Sequence, residues 1–118
     1  MMDEKDYELS FKIILHAGDA KSKAMEAISA ANVYDFIKSE ELINEAQKEL
    51  RSAHQIQTSL ITEETNGNGA KVSVLLIHSQ DHFSMALTAI ENAKQVLITM
   101  KKIQRLEDLL MNKEDEND

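Results

Sequence analysis

An all-α fold is what this sequence predicts, and three observations carry that reading. The 118 residues include no proline and only three glycines, so little in the chain breaks a helix. Aromatic content is 4%, while Ala, Leu, Ile, Glu and Lys are abundant, a composition that favours helices over sheets. Apolar residues recur at steps of three and four in three long segments, the period of a helix and not of a strand. Residues 1–118 suit a single domain with one modest core. The expected architecture is an antiparallel three-helix bundle.

Segment one runs from about Asp3 to Ala31, with Tyr7, Phe11, Ile14, Leu15, Gly18, Met25 and Ile28 at helical spacing. Gly18 costs a helix about 1 kcal/mol relative to Ala. Because Ala17, Ala20 and Ala24 are small as well, close helix packing is the expected reason for it. Asn32-Val33-Tyr34-Asp35 is a break, with Asp35 the candidate N-cap of the second segment. Segment two spans about Phe36 to Thr65. Its Ile43, Ala46, Leu50, Ala53, Gln57 and Leu60 alternate steps of three and four, the seam of a left-handed bundle. Thr65-Asn66-Gly67-Asn68-Gly69 is the clearest loop in the sequence, short enough to make segments two and three antiparallel neighbours. Segment three runs from about Lys71 to Met111, and the acidic residues 112–118 form a tail expected to fray.

A net charge of −8 argues against nucleic acid, whose phosphates require basic patches. The acidic N-terminal residues do not resemble a signal peptide, and no stretch approaches the roughly 20 apolar residues that span a bilayer. The expectation is a soluble cytoplasmic protein that inserts into no membrane. With no cysteine, thiol catalysis and disulfides are excluded.

Segment three holds the unusual feature. At about 100° per residue, His78, Asp81, His82 and Met85 fall within about 100° of arc on one helix. Ala89, Val96, Met100, Ile103 and Leu110 continue that arc. Three polar side chains thus stand on an otherwise apolar stripe, where charge without a partner is costly. A second apolar stripe, Leu76, Phe83, Leu87, Ile90 and Leu97, lies on the opposite side. A peripheral helix of a small bundle needs one apolar face. Two faces predict that one packs inside the chain and the other against a further copy, and three slim helices bury little alone.

Three collinear blocks resemble the IIA component of the lactose/cellobiose (diacetylchitobiose) branch of the bacterial sugar phosphotransferase system. They are Ala17-Gly18-Asp19-Ala20-Lys21-Ser22-Lys23, Ala53-His54 with Gln57-Thr58, and Val74 through His82 with its His-x-Gln-Asp-His core. Phe83-Ser84-Met85 departs from the Leu-Met-Thr usual in that family, as does Ser52 from a common acidic residue. The resemblance implies a homotrimer forming a nine-helix bundle, with His78 the phosphorylated residue and His82 its accessory histidine. It implies that HPr supplies the phosphoryl group. A cognate IIB cysteine receives it and passes it to a sugar entering through membrane-embedded IIC, so this subunit binds no sugar itself. It also implies that Asp81 from three subunits surrounds a metal ion on the symmetry axis, for which oxygen ligation suggests Mg²⁺.

The chemistry fits these residue types. Phosphoryl transfer needs an uncharged nucleophile in line with the leaving group, and imidazole titrates near neutral pH. Leu75, Ile77 and Met85 are candidates for docking the protein partners. Gln80, His54 and Gln57 are possible pocket residues, the last two also readable as polar positions of a bundle seam. Asp19 has no role readable from sequence. His16 reads as a packing or surface residue, and Lys21 and Lys23 as partners for acids of segment two. Two other readings remain: a zinc site made by His78, Asp81 and His82 within one chain, and a structural or regulatory helical oligomer without transfer activity.

Overall fold

The computed structural model describes residues 4–67 and 74–117, with the side chains of residues 64, 65 and 115–117 left aside. The order is α1 (Glu4–Asn32), α2 (Phe36–Thr65) and α3 (Val74–Asn117), with no strand among the described residues. As cross-helix partners ascend α1, from His16 to Lys23 to Ala27, they descend α2, from Glu49 to Glu45 to Ser39. The two helices are therefore antiparallel. The same reversal relates α2 and α3, where Gln57 meets Gln80 and Glu40 meets Lys101. No described helix is long and apolar enough to cross a membrane.

The core is built from alanines. Ala17, Ala20, Ala24, Ala27 and Ala31 of α1 have essentially no exposed surface, and Ala46 and Ala53 of α2 are equally covered. Residues of this size let two backbones approach closely. Ile90 and Leu97 of α3 close the cluster from the third side. A smaller cluster of Ile13, Ala53 and Leu60, with Leu76 and Phe83 packed against it, fills the end where α3 begins.

The turn between α1 and α2 explains its own sequence. Asp35 N–H bonds the Ala30 carbonyl at 2.9 Å and Tyr34 N–H the Ala31 carbonyl at 3.0 Å, the double closure of a helix C-terminus that needs a left-handed residue. Tyr34 supplies it, with φ of 65°, where glycine is usual. Its ring lies edge-on to Phe36 at 6.0 Å, and its hydroxyl donates to Glu107 Oε1 at 2.7 Å. Asp35 is the N-cap, its Oδ1 accepting from Lys38 N–H at 3.3 Å. The second break begins as expected: α2 stops at Thr65, and Gly67 adopts φ of 80°. Asn68, Gly69 and the expected start of segment three at Lys71 lie outside the described residues.

One expectation is corrected, and two others gain detail. A Cβ added at Gly18 would meet nothing within 4 Å, so Gly18 is not a close-packing site; its alanine neighbours fill that role while Gly18 faces outward. The second concerns α3, which continues to Asn117 and carries the stretch expected to fray as helix, since no proline or glycine follows Gly69. The third concerns the stripes. The buried line of α3, Ser79, Ala86, Ile90, Ala93 and Leu97, follows the edge of the second stripe that contains Ile90 and Leu97, while the stripe of His78 and Met85 faces outward. Both flanks stay partly open: Met85 is 43% and Leu87 45% exposed.

The molecule measures 75 × 19 × 19 Å, and α3 accounts for the length. At about 1.5 Å per residue its 44 residues span about 66 Å against about 44 Å for α1. Its last turns project beyond the bundle, and every residue from Arg105 to Glu114 is exposed.

Candidate functional site

The site lies in the first three turns of α3. Ser79 is fully buried, its hydroxyl satisfied within the helix by donating to the Leu76 carbonyl at 2.7 Å, and it marks the inward face of α3. With Ser79 facing inward, the neighbouring His78 is turned to the surface. Gln80 is half-buried and accepts a hydrogen bond from Gln57 Nε2 of α2, so α3 is tied to α2 on the residue's other side. The backbone beneath His78 is thus fixed by residues that carry no chemistry.

His78 and His82, one turn apart, meet with Nε2 to Nε2 at 3.0 Å and rings perpendicular, at 87° with centroids 4.5 Å apart. One ring must donate and the other accept, and the tautomers decide which. His78 and Asp81 are exposed and His82 is half-buried. Polar side chains expected on a stripe hostile to charge therefore sit in water in the single chain, because that stripe faces outward along α3.

Candidate docking residues share this surface: Ile77 is 54% exposed, Met85 is exposed and Leu75 half-buried. On α1, Tyr7, Phe11 and Leu15 are exposed as well. His54 is exposed on α2, its ring tilted against Phe83 at 6.0 Å, at the mouth of a groove of about 310 Å³ shared with Leu50, Arg51 and Leu87. Gln57 is a seam residue through its bond to Gln80, whereas His54 lines the groove. His16 pairs with Glu49 at 2.8 Å and Lys23 with Glu45 at 3.8 Å; Lys21 and Asp19 are exposed. Sequence reading passed over Ser79, whose only signal was a small polar residue on the arc between the two stripes.

Among the described residues no group of three His, Asp or Glu side chains is arranged to hold a metal ion. The single-chain zinc reading therefore finds no ligand set. What the described residues present is a paired imidazole on a helix face, with His78 exposed and His82 half-buried.

This is the architecture of an antiparallel three-helix domain with a histidine pair on its third helix, and comparison with known proteins gives the particular family. Residues 8–101 match the family model described as PTS system, Lactose/Cellobiose specific IIA subunit. The lichenan-specific phosphotransferase enzyme IIA component of Bacillus subtilis (strain 168) is 37% identical over 102 residues, 86% of this chain and 93% of that protein. A lactose-specific EIIA component of Staphylococcus epidermidis is 38% identical over 80% of this chain and 90% of its own length. Among solved structures, the cellobiose-specific enzyme IIA of Bacillus anthracis superposes with a TM-score of 0.82 at 36% identity, covering 89% of this chain and 95% of that one. The chitobiose IIA in complex with HPr from Escherichia coli gives 0.73 at 28% identity, covering 82% and 94%. The chain belongs to the lactose/cellobiose-specific IIA family and is a component of a sugar phosphotransferase system, a transferase by family.

Proposed function

We propose that this protein is a cytoplasmic phosphocarrier that takes a phosphoryl group from phospho-HPr onto His78 and passes it to the cysteine of a cognate IIB. The transport served is uptake, through IIC, of a β-linked disaccharide of the cellobiose, diacetylchitobiose or lactose type. The observation that carries this reading is the Nε2–Nε2 pair of His78 and His82 on an exposed face. When His82 donates across the 3.0 Å contact, His78 Nε2 holds its lone pair, the state a nucleophile requires. Attack forms the Nε2–P bond as the donor's N–P bond breaks. The His82 N–H, released from His78, stands one turn away to hydrogen-bond the phosphoryl oxygens. The second transfer breaks that N–P bond and forms S–P on the cysteine. Exposed Ile77 and Met85 with half-buried Leu75 supply apolar docking surface. The HPr complex of the Escherichia coli relative supports the choice of donor.

The working unit in this reading is a homotrimer, a nine-helix bundle with the outward stripe of α3 turned toward its neighbours. Asp81 is exposed, one helical turn from His78. Three copies near an axis would repel, and a hard divalent cation such as Mg²⁺, bound by their oxygens, would offset that repulsion. A single chain provides no such ligand set among its described residues, which fits an ion shared between copies.

Incubation with phosphoenolpyruvate, enzyme I and HPr, with intact mass measured afterwards, is the direct test. One acid-labile phosphoryl group per chain is expected, and none in His78→Gln. Labelling that persists in the variant refutes the assignment. A wild-type chain that takes up no phosphate favours a structural or regulatory oligomer. Asp81→Leu is expected to keep or tighten the trimer by replacing clustered charge with apolar volume. Dissociation of that variant in sedimentation would show instead that the carboxylate, with its ion, holds the copies together.

A further inference from the structure

The histidine chemistry of α3 makes no use of His16, which lies on the seam of α1 with α2. Its Nδ1 meets Glu49 Oε2 at 2.8 Å across the two helices. The pair is neither open nor sealed, since 36% of the His16 side chain and 28% of the Glu49 side chain reach water. The other ring nitrogen, Nε2, has no hydrogen-bond partner among the described residues. Ser10 Oγ is the buried side-chain atom left without a partner among those residues. His16 Nε2, unpartnered but not buried, therefore stands open to solvent.

A carboxylate on one ring nitrogen decides the chemistry of the other. Glu49 keeps the proton on Nδ1, which leaves the lone pair on Nε2. At His78 the tautomer depends on a second imidazole; at His16 an anion fixes it. Such a dyad activates a histidine as a nucleophile, and the carboxylate offsets the positive charge the ring acquires as a bond forms at Nε2.

The flanking residues select the electrophile. Cross-helix pairs form a ladder along this seam, Lys23 with Glu45 and His16 with Glu49. The same antiparallel register brings Lys12 level with Ser52, which has no charge to offer it. Lys12 holds Glu8 of its own helix instead, at 3.7 Å with both side chains more than half exposed, a pair worth little in water. One turn from His16, its ammonium can swing to an anion at Nε2. The Ser52 hydroxyl makes only a 3.4 Å contact with the Lys48 carbonyl. A nucleophile flanked by an ammonium and a hydroxyl suits a phosphoryl group. Because α3, with the docking residues proposed above, takes no part in this seam, the donor it suits is a small molecule.

We propose that His16 is a second phosphoryl acceptor, modified at Nε2 by a small donor of the phosphoramidate or acyl-phosphate class. The Nε2–P bond forms as the donor's P–N or P–O bond breaks. The leaving group departs with that electron pair, and the Nδ1 proton stays between the ring and Glu49. Phosphoramidate, whose leaving group is ammonia, is the probe, with intact mass and peptide mapping at alkaline pH as the readout. His78→Gln is expected to gain a phosphoryl group on the peptide that holds His16, and to lose it when His16→Gln is added. In the His78→Gln background, Glu49→Gln removes the anion behind the ring and Ser52→Glu engages Lys12. Each is expected to slow labelling by about threefold or more. No label on the His16 peptide overturns the assignment. So does an unchanged rate in Glu49→Gln, which would make His16 an ordinary surface imidazole. The carrier reading is tested apart from this one: a wild type that phospho-HPr leaves unlabelled removes that reading, while label from phosphoramidate on His16 still upholds the second site.

Discussion

The interface of α1 with α2 and that of α2 with α3 are built on opposite plans. The first is a run of alanines with no exposed surface, crossed by a buried polar bond from Ser39 Oγ to the Ala27 carbonyl at 2.8 Å. Along the second, α2 and α3 approach each other far less than either approaches α1. Their seam carries the Gln57–Gln80 bond, the His54–Phe83 contact and a groove in which Leu87 remains 45% exposed. A close-packed interface resists any change in volume; a loose, polar one tolerates it. The difference shows how the chain divides its tasks. Helix α1 is the spine against which both others are held, and α3 keeps His78, Ile77 and Met85 on an outward surface.

Substitutions that change one interface and spare the other test this contrast, measured as unfolding free energy at fixed protein concentration so that any self-association is held constant. The largest effect is expected at Ala24, which has no exposed surface: Ala24→Leu overpacks the spine and should cost about 1–3 kcal/mol. Leu87→Gln in the open seam should change stability by less than about 0.5 kcal/mol; equal costs at the two sites would erase the distinction. Ser39→Ala removes the buried side-chain bond between α1 and α2 and should cost about 1 kcal/mol. Gly18→Ala should gain up to about 1 kcal/mol, since the site is open and the helix favours Ala. A loss there would mean that a backbone does approach Gly18 closely after all.

The smallest expected effect is a pH dependence at the foot of the bundle. The Tyr34 hydroxyl donates to Glu107, and that bond, with some desolvation and the nearby charges of Glu107 and Asp108, raises its pKa above the usual 10. A raised folded pKa stabilises below the unfolded value and is lost as pH climbs through the folded one. Tyr34→Phe should therefore match the wild type more closely above that range than at pH 8, which denaturation at the two pH values would reveal.

Much of the fold was legible because it rests on local chemistry. Asp35 caps α2 as its residue type predicts, Gly67 turns the chain where the Asn-Gly repeat predicts, and α2 spans the predicted residues 36–65. The paired histidines were legible too, since helical spacing alone brings residues 78 and 82 together. What escaped was anything decided by rotation or by partners. Two apolar stripes on α3 cannot say which faces inward, and the answer, the Ile90 and Leu97 stripe shifted toward Ser79 and Ala86, depends on how closely alanines let α1 approach. Gly18 lies among small residues in sequence but points away from them in space. The exposure of His78 and Asp81 belongs to one chain alone, whereas the expectation of a buried stripe concerned several.

The directions of the helices carry one more consequence. Because α1 and α3 run the same way, His78 lies near the level at which α1 begins, while Asn117 ends about 58 Å farther along α3 by its rise of about 1.5 Å per residue. A second protein joined after Asn117 would hang clear of the histidines, whereas one joined ahead of Glu4 would crowd the end of the bundle that carries them.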